Sequence, residues 1–163
     1  MRVLRLLSLV LTVASCSAPR DAPPPTSNVV QWNVMPGESR TQPDGSTLMD
    51  VELYAKVESG WKVYSLTQQG GGPVPLTVKA NPPHKVEGPI KGPAVERAMD
   101  SNFGIETETY TGAPAFLVTV RMPASDSAMV PLELKVRSQA CSDRLCLPAR
   151  TVTLPVNTVP LGS

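Results

Sequence analysis

Histidine, excess charge of either sign and long apolar runs are all scarce in this chain of 163 residues, and each shortage closes off a class of function. His84 is the single histidine. It has no evident catalytic partner beside it, so serine-histidine hydrolysis has no support and His84 is expected to be a solvated loop residue. Fifteen Lys and Arg against fourteen Asp and Glu leave a net charge of +1. The basic residues are scattered and form no stripe, which argues against a nucleic-acid binder. Also missing are helix-length stretches free of breakers, because eighteen prolines and eleven glycines punctuate the chain. Short strands joined by turns are therefore expected, and the fold class is all-β.

The apolar residues that do run together lie at the start. Residues 1–15 combine Arg2 and Arg5 with the apolar stretch 6–13 and the small pair Ala14-Ser15. This is the pattern of a secretory signal, too short to span a bilayer. Cys16 follows directly, and the Val13-Ala14-Ser15-Cys16 context resembles the lipobox of bacterial lipoproteins. That resemblance implies acylation of Cys16 and firm anchoring to a membrane; the alternative is an ordinary signal with a chance cysteine. Ser17, where an Asp would retain a lipoprotein in the inner membrane, favours the outer membrane in a Gram-negative host. Residues 16–28 carry the lipidated cysteine and a Pro-rich tether. At about 3.1 Å per residue for a polyproline-like chain, it reaches roughly 35 to 40 Å from the headgroups.

Residues 29–160 read as one domain, long enough to bury a core of its own. Residues 50–57 (DVELYAKV) alternate apolar and polar in the manner of a half-buried strand, and Glu58-Ser59-Gly60 ends them. Further extended segments are expected at 61–66, at 74–80 as a Pro-interrupted edge strand, and at 115–122, 131–138 and 151–156. Two antiparallel sheets packed face to face accommodate this spacing, an immunoglobulin-like sandwich in outline. Residues 93–102 are the exception, with room for a helical turn inside a long loop. Gly70-Gly71-Gly72 lacks the Lys-Ser/Thr pair and helix of a phosphate loop, so it reads as a flexible turn. Glu106 and Glu108 alternate with threonines as on an exposed strand face, although they could pair as a two-carboxylate site.

With Cys16 set aside, two of the three cysteines remain. Cys141 and Cys146 fall between two expected strands, within disulfide reach of each other across a hairpin connection. An export signal places them where thiols tend to pair. A disulfide closing so short a loop contributes only about 2 kcal/mol by chain entropy, so it is a poor staple. Short bridges can instead be the exchangeable ones, and Arg144 beside Cys146 favours a thiolate, partly offset by Asp143. Spacing alone leaves both a redox pair and a staple open. Binding of Cu(I) by the thiolates is a third reading, weakened because the six methionines are scattered.

Three segments in order carry a family likeness. Gly60-Trp61-Lys62-Val63-Tyr64-Ser65 is followed by a Gly-Gly-Pro turn, Asn102-Phe103-Gly104 precedes Tyr110, and Cys141-Ser142-Asp143-Arg144-Leu145-Cys146-Leu147-Pro148 closes the series. Together they resemble the N-terminal periplasmic domain of DsbD-type thiol:disulfide interchange proteins, over nearly the whole mature domain. The resemblance implies an immunoglobulin-like fold and thiol-disulfide exchange without a bound cofactor or metal. It further implies that Cys146 forms mixed disulfides with partners, that Cys141 resolves them, that Phe103 caps the pair and that Tyr64 lines the site. The best-known members fuse this domain to a membrane-embedded electron conduit and a thioredoxin-like domain, and neither appears in this sequence. The resemblance then implies a separate membrane-embedded electron donor protein, and oxidised envelope thiol proteins as acceptors. The cysteine loop is shorter than in some relatives, so a redox potential does not carry over. The competing function is a non-catalytic binding or scaffold lipoprotein with an inert disulfide.

Overall fold

The computed structural model describes residues 28–124 and 130–157. The signal segment, Cys16, the tether up to residue 27 and residues 158–160 lie outside the described residues. Within them are eleven strands: β1 (Val30–Thr41), β2 (Thr47–Val57), β3 (Lys62–Tyr64), β4 (Thr77–Ala80), β5 (Lys85–Val86), β6 (Glu96–Asp100), β7 (Ile105–Tyr110), β8 (Ala115–Met122), β9 (Glu133–Ser138), β10 (Ala140–Cys141) and β11 (Arg150–Pro155). No helix is present among the described residues, in keeping with the density of proline and glycine.

The strands pair antiparallel throughout, in three hydrogen-bonded sheets ordered β1-β2-β8-β5, β10-β3-β7-β6 and β11-β9-β4. Alternation along β2 explains why the first sheet has one wet face. Met49, Val51, Leu53, Ala55 and Val57 are buried, whereas Glu52 and Lys56 between them are exposed. Phe116, Val118 and Val120 of β8 share the buried face, and Val63, Val78, Leu134 and Val136 from the other two sheets meet them in one core. Trp32, Phe116 and Tyr110 join the layers, with ring centroids 6.2 Å and 5.1 Å apart. The architecture is the expected immunoglobulin-like antiparallel sandwich, with its second layer divided in two. Gln139 alone separates β9 from β10, so the chain changes sheets within one residue. β4 lies at the edge of its sheet as expected, but it starts at Thr77, so Pro75 falls before the strand and does not interrupt it.

Two expectations are corrected. Residues 93–102 hold strand β6 rather than a helical turn, because pairing with β7 satisfies their backbone. His84 is not solvated: it is 2 % exposed, its Nε2 lies 3.0 Å from the Val130 carbonyl, and its Nδ1 has no hydrogen-bond partner among the described residues.

Candidate functional site

Cys141 and Cys146 are joined by a disulfide, with their Cα atoms 4.1 Å apart, slightly closer than the usual range. The connection between β9 and β11 does more than turn back on itself. It leaves that sheet and lays β10 against β3, pairing Ala140 with Val63 and Cys141 with Lys62. Cys141 and Cys146 then face each other as an isolated antiparallel bridge, flanked by the 2.9 Å bond from the Leu147 N–H to the Ala140 carbonyl. Ser142 shapes the turn between them. Its N–H donates to the Leu145 carbonyl, and its hydroxyl accepts from the Arg144 and Leu145 N–H groups.

The two cysteines have unequal surroundings. Cys141 is fully buried in its strand, whereas Cys146 is partly exposed and follows Leu145, which is 46 % exposed. Leu147 is turned the other way and packs against the core, so the apolar surface beside Cys146 comes from Leu145 rather than from both leucines. Arg144 and Asp143 are exposed on the turn.

On the strand beside the disulfide, Lys62 and Tyr64 are two residues apart and share a face. Both reach Asp100, the last residue of β6. The Tyr64 hydroxyl donates to Asp100 Oδ2 at 2.9 Å, and Lys62 Nζ lies 3.2 Å from the same oxygen and 3.7 Å from Oδ1 of Asp143. Asp100 is completely buried. Burial pushes its carboxyl up, but the Asn102 N–H, the Tyr64 hydroxyl and the Lys62 ammonium outweigh this and hold it below the usual carboxylate range. Burial, reinforced by the Asp100 charge, pushes the Tyr64 hydroxyl strongly upward, so it remains a proton donor.

Asp100 also organises the turn into β7. Its Oδ1 accepts the Asn102 N–H at 2.8 Å and its carbonyl accepts the Gly104 N–H at 2.7 Å, with Gly104 at φ +67°. The turn carries Phe103, whose ring meets Tyr64 edge-on at 5.9 Å and 87°. Loop 70–73 lies behind it, and a Cβ on Gly72 would come within 2.8 Å of Ile105 and 3.7 Å of Phe103. Phe103 and Tyr64 are therefore brought together next to the strand that holds Cys141. Cys16 lies outside the described residues. Lys62 and Asp100 had no role in the sequence reading, although the two-residue spacing of Lys62 and Tyr64 places them on one face. Glu106 and Glu108 do not form a paired site: Glu106 is exposed, and Glu108 is bound by Thr67, Ser65 and Arg97. No cluster of three or more His, Cys, Asp or Glu suited to a metal occurs among the described residues.

The family model described as thiol:disulfide interchange protein DsbD, N-terminal, matches residues 33–158. The chain belongs to this family. Among solved structures, the N-terminal periplasmic domain of ScsB from Proteus mirabilis is similar at 18 % identity and a TM-score of 0.55, covering 82 % of this chain and 48 % of that one. The chain thus spans about half the length of that relative, and at this identity the likeness concerns the fold. The reduced DsbD N-terminal domain of Neisseria meningitidis matches at 17 % identity and TM-score 0.47, covering 72 % of this chain and 79 % of that one. The complex of that organism's DsbD and PilB N-terminal domains gives 17 % and 0.47, covering 85 % of this chain and 88 % of that one. No protein of curated function matches.

Proposed function

We propose that this DsbD-family domain passes electrons to oxidised envelope thiol proteins through the Cys141/Cys146 pair, with Cys146 attacking and Cys141 resolving. The reaction uses only the two sulfurs. The reduced Cys146 thiolate attacks one sulfur of a partner disulfide, forming a mixed disulfide and releasing the partner's other sulfur as a thiolate. The Cys141 thiolate then attacks Sγ of Cys146 and expels the second partner thiolate. Two electrons pass to the partner, protons restore its two thiols, and the Cys141–Cys146 disulfide remains. A separate membrane-embedded donor protein, delivering two electrons per cycle, returns the pair to the dithiol.

The observation that carries this reading is the unequal placement of the cysteines: one sits buried in a strand, the other partly exposed beside Leu145. An attacking thiol must be reached by a partner, while a resolving thiol needs only to reach its neighbour. Phe103 would act as the cap over the pair and Tyr64 as its support. Residues 1–15 would direct export, and Cys16 would anchor the domain by its acyl chains, facing the periplasm from the outer membrane of a Gram-negative host.

Replacing one cysteine at a time tests the roles. In Cys141→Ser the mixed disulfides formed by Cys146 cannot be resolved, so reductant-sensitive adducts should accumulate on non-reducing gels. In Cys146→Ser they should be scarce. The reverse pattern would exchange the two roles, and adducts from neither variant would leave an inert disulfide in a binding lipoprotein.

A further inference from the structure

The turn that carries Phe103 is tied to the cysteine ring by two side chains. Asn102 Nδ2 donates to the Ser142 carbonyl at 2.8 Å, and the Ser101 hydroxyl donates to the Asp143 carbonyl at 3.1 Å. Both acceptors belong to the four residues enclosed between Cys141 and Cys146. The ring's own bonds occupy the Ser142 N–H, the Ser142 hydroxyl and the Leu145 carbonyl, leaving the carbonyls of Ser142 and Asp143 to accept from outside. Asp100 supplies the geometry on the other side, because its carboxylate and carbonyl fix the backbone of residues 102–104 and so aim the side chains of Ser101 and Asn102 at the ring. Lys62 braces the same junction, with Nζ between the carboxylates of Asp100 and Asp143.

We infer that Ser101 and Asn102 are positioning residues that latch the Phe103 turn shut against the disulfide ring and thereby set how fast the pair exchanges. The inference rests on the reading of Phe103 as a cap. Both side chains are exposed and neither packs in the core, so their removal leaves folding intact while shifting the balance between closed and open turn. Solvent-exposed hydrogen bonds sit at the low end of the usual net contribution, which corresponds to about a two- to five-fold shift in an opening equilibrium for each bond.

The test is the rate at which dithiothreitol reduces the disulfide of the full chain at neutral pH. Ser101→Ala and Asn102→Ala should each speed reduction by about two- to five-fold, and the double variant by about the product of the two. Ser101→Thr, which keeps the hydroxyl, should restore the slow rate. In a Phe103→Ala background the same substitutions should have little further effect, since the turn no longer shields the pair. If Phe103→Ala is fast but the Ser101 and Asn102 variants reduce at the wild-type rate, the latch is wrong and the cap stands. If Phe103→Ala itself reduces at the wild-type rate, the cap reading fails and takes the latch with it. An acceleration of equal size with and without Phe103 would also overturn the latch, since it would show the two side chains acting elsewhere.

Discussion

Asp100 does more for the site than any residue other than the cysteines, and it does so from complete burial. A carboxylate out of water is costly unless several donors meet it. Here the Asn102 N–H, the Tyr64 hydroxyl and the Lys62 ammonium all do so, linking β6, the Phe103 turn and β3 at one point. Because these partners hold the folded carboxyl below its unfolded value, the unfolded chain takes up a proton first as the pH falls. The stability Asp100 contributes is thus fully present above the unfolded pKa of about 3.9 and is lost as the pH drops through the lower folded value. Thermal unfolding between pH 6 and pH 3 should show a steeper acid loss in the wild type than in Asp100→Asn, which has no charge to lose. Parallel curves would mean that the Asp100 charge does not stabilise the fold. If Cys146 attacks as proposed, its rate depends on ionisation, because an unperturbed thiol is only about 3 % thiolate at neutral pH.

The strands differ in how openly their sequences declare them. β2 could be read directly, since the alternation over residues 50–57 has one physical meaning, a sheet with one dry face, and β8 from its apolar, β-rich run bounded by turn residues. β8 has the expected bounds of 115–122. β6 was hidden because Glu96, Arg97, Ala98 and Met99 are all exposed at a sheet edge and show no period, so its pairing with β7 is a tertiary effect. β10 is only two residues long, and its departure from the β9–β11 hairpin to join β3 depends on contacts distant in sequence. The cysteine pair was legible from spacing, and its disulfide followed from the expected compartment. Its environment was not legible. The convergence of Lys62, Tyr64 and Asn102 on the Asp100 carboxylate brings together residues up to 40 positions apart, which neither propensity nor period can reveal. His84 misled for the same reason, a polar residue beside two prolines that the fold then covers.

Taken whole, the molecule holds the disulfide turn of an antiparallel sandwich at the junction of β10, β3 and the end of β6, where Val63, Ala140 and Leu147 tie it to the core. A tether at Cys16 would hold such a domain at a membrane while leaving Cys146 free to meet partners. If Cys16 provides the anchor, labelled palmitate should be incorporated by the wild-type chain and lost in Cys16→Ala; label persisting in the variant would refute acylation at that residue. The proposed electron transfer makes a stricter demand, that the Cys141–Cys146 disulfide exchange at physiological potentials. Structural disulfides of exported proteins resist the glutathione pool, with midpoints below about −300 mV, whereas exchangeable ones lie higher. Equilibrating the full chain in glutathione buffers and quantifying free thiols gives that midpoint directly. A value above about −300 mV is the result expected of an electron-passing pair, and a disulfide that stays closed across the whole range would contradict it.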